Sequence, residues 1–155
     1  MMKAIKTLTL ASALTLGAAL LAPLANAHSE HDLDMMTAPH GGQLRMAGTS
    51  HYELVLVKDS KAARDNAIVV YVTDHAGTKI PTAGASGAIT LLSGKTKVSA
   101  ALAPDGDNEL TGHAVYASEP DLKAVVKIKL TGQDEQQARF TPLAAHSDDH
   151  EDHKH

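Results

Sequence analysis

The sequence predicts an all-β domain, an antiparallel, immunoglobulin-like β-sandwich of six to eight strands set between disordered, histidine-rich tails. Three observations predict it. Apolar residues in the middle of the chain recur with the two-residue period of half-buried strands, not the 3.6-residue period of helices. Turns rich in glycine, proline and aspartate separate these runs at short intervals. Between residues 39 and 142 no convincing helix appears. A small barrel satisfies the same observations, so both closures stay open at this level.

The strands follow in order. Residues 43–46 form a short first strand, and 51–58 (HYELVLVK) and 67–73 (AIVVYVT) are rich in β-branched and aromatic residues, which suit a pleated surface. Asp74-His75-Ala76-Gly77 closes a hairpin after them. Residues 87–93 (GAITLLS) pair with 97–102 across Ser93-Gly94, and Pro104-Asp105-Gly106-Asp107 leads to a strand over 108–116. The clearest alternation is in 122–130, where Leu122, Ala124, Val126, Ile128 and Leu130 interleave with Lys123, Val125, Lys127 and Lys129. One face there is apolar and the other carries lysines, as in a sheet wet on one side. Thr131-Gly132-Gln133-Asp134 then turns the chain into a last strand, 136–141. The expected core contains Leu54, Leu56, Val70, Val72, Ile89, Leu91, Val126, Ile128 and Leu130.

Both ends read differently. Lys3 and Lys6 precede the apolar run TLTLASALTLGAALLAPL, which closes on Ala25-Asn26-Ala27. That is the pattern of a secretory signal peptide (1–27), cleaved after Ala27, and it predicts a periplasmic protein with no membrane insertion after cleavage. A transmembrane anchor is the competing reading. Residues 28–38 (HSEHDLDMMTA) lack a sustained period and read as a flexible arm, with the β domain at 39–142. The end, 143–155, has almost nothing to bury and reads as a disordered His/Asp-rich tail.

Composition narrows the chemistry. The 155 residues include no cysteine, which removes disulfides, thiolate metal sites and cysteine nucleophiles. Basic residues number 14 against 18 acidic, with no basic block, so no nucleic-acid partner is expected. Aromatic residues make up 3%, too few for stacking platforms. Removal of the signal would leave 12 basic and 18 acidic residues, a net charge of −6, with all 10 histidines retained. Imidazoles that titrate near roughly 6.5 are neutral, and able to coordinate, at neutral pH.

The histidines fall into three groups. In the tail, His146, His150, His153 and His155 lie among Asp148, Asp149, Glu151 and Asp152, ligand types that zinc, copper and nickel accept. A solvating acidic tail is the plain alternative. In the arm, cleavage would expose the α-amine and imidazole of His28, with His31 three residues on. Met35 and Met36 there are thioethers of the kind Cu(I) takes, although paired methionines are more often apolar filler. Within the domain, Pro39-His40-Gly41-Gly42 places His40 in a constrained turn. In His51-Tyr52-Glu53, residues two apart share a strand face, so His51 and Glu53 project together. With His40 they make a His₂Glu set, and His113 in Thr111-Gly112-His113 is a candidate fourth ligand. The bland reading leaves His51 and Glu53 on a solvated face and His40 in an ordinary turn.

PHGGQL, followed by HYELVLV, a strand ending in YVTDHAGTKI, the segment LAPDGDNELTG and a closing ARFTP, resembles a small periplasmic domain. That domain occurs in membrane-fusion adaptors of heavy-metal efflux systems of the resistance-nodulation-division type, and in short stand-alone exported proteins. The resemblance covers 39–142, and its most specific element is the HGG turn with an H-x-E strand about ten residues later. It implies metal handling by His40, and with it His51 and Glu53. The helical hairpin, lipoyl and barrel domains of a full adaptor have no room here, so the implied role is carrier or buffer.

The expected function is therefore a periplasmic transition-metal-binding protein, for zinc or copper with nickel or cobalt as further candidates, working with an efflux adaptor or pump. The alternative is a non-catalytic immunoglobulin-like interaction module with incidental tails. No enzyme is expected. G-x-S-x-G, phosphate-loop and H-E-x-x-H motifs are absent, and the sole H-x-H, His153-Lys154-His155, lies in the tail.

Overall fold

A computed structural model describes residues 29–145; the expected signal peptide and residues 146–155 of the tail lie outside the described residues. Eight strands and one short helix make up the fold: α1 (Glu30–Asp34), β1 (Gln43–Ala47), β2 (Ser50–Leu56), β3 (Arg64–Asp74), β4 (Ser86–Ser93), β5 (Thr96–Pro104), β6 (Glu109–Tyr116), β7 (Lys123–Lys129) and β8 (Gln136–Phe140). Every expected strand is present. All pairings are antiparallel, in the order β1-β2-β3-β6-β5-β4-β7-β8. β5 joins the two halves: Thr96 to Leu102 pair with β4, while Ala103 and Pro104 pair with Thr111 and Leu110 of β6. The outer strands β1 and β8 lie close together, and the Thr141 backbone N–H donates to Gln43 Oε1 over 2.8 Å. The result is one nearly closed sheet.

Turn chemistry sets the hairpin registers. Ser93 pairs with Thr96 across Gly94-Lys95, and Gly94 has φ 55°, the left-handed conformation a two-residue hairpin needs. Asp74 to Gly77 makes a tight return, with Thr73 bridging Lys79. The hairpin it closes is short, because the chain then runs through Thr82 and Ala85 before β4 begins.

The core matches the alternation in the sequence. None of the nine expected core residues is more than 4% exposed. The run 68–72, apolar on both sides, places Ile68, Val70 and Val72 inward, leaving Val69 and Tyr71 half-buried on the outer face.

One expectation needs correction. The arm at 28–38 is not aperiodic throughout, because Glu30–Asp34 form a helical turn. Ser29 Oγ accepts from the Asp32 N–H (3.2 Å) and Asp32 Oδ2 accepts from the Ser29 N–H (3.1 Å), a reciprocal capping box. Leu33 is 1% exposed, and Asp34 meets Arg45 of β1 at 2.7 Å. A helix this short does not stand alone in water. Contacts with the sheet hold it, and no period over five residues reveals them.

Burial also governs the phenols. It pushes Tyr52 up to about 12, with the Glu135 charge adding to the effect, and it raises Tyr71 and Tyr116 above the usual range. These are all three tyrosines of the chain. The folded protein therefore keeps its phenol protons more tightly than the unfolded chain does. This contribution to stability is complete below about pH 10 and is lost as pH rises through the higher folded values. Spectrophotometric titration of the folded protein should place phenolate formation above the ordinary value of about 10, with Tyr52 the last to ionise. An ordinary step for all three in the folded state would contradict the buried placement of Tyr52 and Tyr116.

Candidate functional site

Directly opposed residues on antiparallel strands share a sheet face. Leu54, Val70 and Leu110 form an inward row across β2, β3 and β6. The next row, Leu44-Glu53-Tyr71-Glu109, therefore faces outward. Two residues along β2 lies the parallel outward row Met46-His51-Thr73.

Glu53 faces outward yet is only 3% exposed, because the Pro39-His40-Gly41-Gly42 turn folds over it. Its Oε1 accepts from the backbone N–H groups of His40 (2.8 Å) and Gly42 (3.0 Å). Its Oε2 lies 2.8 Å from His40 Nδ1. The His40 ring stacks flat on Tyr71, with centroids 3.6 Å apart and planes 8° from parallel. The two glycines make this approach feasible. Gly41 adopts φ 73°, and a Cβ on Gly42 would collide with the Leu54 carbonyl. Lys58 Nζ donates to the Gly41 carbonyl over 2.7 Å and closes the turn from the other side.

This geometry gives Glu53 a different role from the expected one. Both of its oxygens are engaged by the turn, so it positions His40 and is not an open ligand. With Nδ1 held by the carboxylate, Nε2 is the nitrogen that remains to coordinate. A carboxylate orienting an imidazole in this way is the usual second layer of support behind a metal-ligating histidine. Tyr71 is raised chiefly by burial, then by the charge and hydrogen bond of Glu109, and it remains a neutral stacking partner at physiological pH.

His51 is 3% exposed, and its ring lies against that of His75, centroids 4.7 Å apart at a 41° tilt. The turn that carries His75 is organised by Asp74, whose Oδ1 accepts from the Ala76 and Thr78 N–H groups, each over 2.8 Å. The Thr78 bond leads in holding the Asp74 carboxyl below the usual carboxylate range.

The other candidates are elsewhere. His113 is exposed on β6 opposite Ala67, with Nδ1 3.4 Å from Asp65. It lies four residues beyond Glu109, about 13 Å along the strand, too far to be a fourth ligand here. His31 on α1 borders a surface cleft of about 580 Å³ with Met35 and Met36. His28, His146, His150, His153 and His155 lie outside the described residues. Among the described residues, no group of three or more His, Asp or Glu side chains is gathered closely enough to hold a metal as the side chains stand.

His51 and Glu53 thus share one sheet face, as their two-residue spacing suggested, and the His40 turn folds over Glu53 on that face. Tyr71, His75 and Met46 were missed as site residues. Their proximity arises from strand register and a turn, and only the TDHAG turn carried any linear hint. No family model, no curated protein and no solved structure matches the chain.

Proposed function

We propose that the protein is an exported transition-metal-binding protein, a carrier or buffer for zinc- or copper-class ions that works in the periplasm beside an efflux adaptor or pump. One observation carries this reading. Three imidazoles, those of His40, His51 and His75, stand over the same face of β2 and β3, one aligned by a buried carboxylate and two in ring contact. Imidazole in such surroundings suits zinc, copper and nickel. The tail and arm histidines add weaker, exchangeable ligands, and the signal-like first segment and the likeness to efflux-adaptor domains supply the compartment and the partner. No catalytic step is assigned. The interaction-module alternative gains little from the exposed large apolar residues among those described: Met35 and Met36 follow α1, Leu92 is on β4 and Val115 on β6.

The test is calorimetric titration of the full exported chain with Zn²⁺, Cu⁺, Ni²⁺ and Co²⁺ under chelator competition. At least one site tighter than about 10 µM is expected. Replacing the four tail histidines by asparagine should lower the stoichiometry and spare the tightest site. His51→Asn should do the opposite. No binding tighter than that limit for any metal would remove the proposal.

A further inference from the structure

The row beside Glu53 carries a donor that the imidazoles alone do not explain. Met46 of β1 is directly opposite His51 of β2. Such pairs share a face with Cβ atoms about 4.5–5.5 Å apart. Methionine is unbranched, with rotatable bonds that let its sulfur reach a neighbour of this kind. On the far side of His51 stands the His75 ring, at 4.7 Å. Two imidazoles sharing an ion through bonds of roughly 2.0–2.1 Å have centroids on the order of 5 Å apart. The observed separation is thus close to a chelating one, and the turn that carries His75 is fixed by the Asp74 hydrogen bonds to Ala76 and Thr78.

We infer that Met46, His51 and His75 form a thioether–diimidazole site selective for monovalent copper, at the end of the sheet where β2 begins. The inference rests on the metal-binding reading above and names the ion. Zinc sites take imidazole, thiolate and carboxylate, whereas a thioether is a soft ligand that favours Cu(I). Thioether and imidazole are uncharged ligand types, which match a singly charged ion better than a divalent one that gains from anionic ligands. His51 is held by burial, so one donor is fixed before the ion arrives. Glu53, one step along the same face, is committed to His40 and does not offer a competing hard oxygen.

The experiment uses the full chain with His28, His31, His146, His150, His153 and His155 changed to asparagine and Met35 and Met36 changed to leucine, which removes the arm and tail ligands. Anaerobic Cu(I) titration against bicinchoninate should show one tight site, and X-ray absorption at the copper edge should show one sulfur and two nitrogen neighbours. In that background Met46→Leu, a swap cores tolerate well, should weaken Cu(I) by about tenfold or more and leave Zn²⁺ affinity unchanged. His75→Ala, on the turn, should weaken Cu(I) at least as much, with the thermal midpoint of each variant confirming the fold. Unchanged Cu(I) affinity in Met46→Leu, or nitrogen-only coordination, overturns the inference and leaves the broader metal-binding role standing. Failure of the unsubstituted chain to bind any of the metals removes both.

Discussion

Glu53→Ala is expected to lower the stability of the domain by about 3 kcal/mol and to release the turn that presents His40. The carboxylate satisfies the N–H groups of His40 and Gly42 and holds His40 Nδ1, all within 3.0 Å. Alanine would leave those donors over a sheet face without an acceptor, and a partly buried donor left unmet costs about 1–3 kcal/mol. Part of that cost is recovered if the turn lifts into water, but lifting it breaks the stack on Tyr71. Urea unfolding should show a lower midpoint with a similar slope, and amide exchange at Gly42 should accelerate. Glu53→Gln retains a carbonyl acceptor for the two backbone groups and should lose less. If Glu53→Ala destabilises by under about 1 kcal/mol, the carboxylate is not the anchor of this turn.

Leu54→Ala, one residue along the same strand, is expected to cost about 3 kcal/mol for an unrelated reason. Leu54 is fully buried and opposes Val70, which in turn opposes Leu110, so its removal opens a cavity in the inner row. Large-to-small changes in such positions lose both transfer energy and packing. The outward row should be undisturbed, so the variant should unfold at lower urea yet leave the affinity of the proposed metal site unchanged while folded. Near-normal stability would show that the inward and outward faces of β2 are exchanged. Neighbouring residues thus separate the two duties of the strand: Leu54 holds the sheet closed, and Glu53 builds on its outer surface.

The strands and the core were legible in the linear chain because their causes are local. A period of two assigns faces whenever one face is apolar, and glycine or aspartate turns interrupt it, as the 122–130 run and Gly94 show. His40, Gly41 and Gly42 were legible as a constrained turn, and His51 and Glu53 as face-sharing neighbours, on the same grounds. Other features depended on where distant segments meet. The helical turn at Glu30–Asp34 is held by contacts with the sheet, including Asp34 to Arg45. His113 has the right chemistry but stands about 13 Å along β6 from the Glu109 position. Glu53 has a ligand's chemistry, but the turn that folds over it makes it a positioning residue. Met46 stands opposite His51 only through the β1–β2 register, and His75 meets it only through the return after β3. Residue types and periodicity therefore determined which strands form and which groups are able to coordinate. Register, turn closure and burial decided which of those groups share one patch, because core packing across the whole sheet sets them and no single stretch of sequence encodes them.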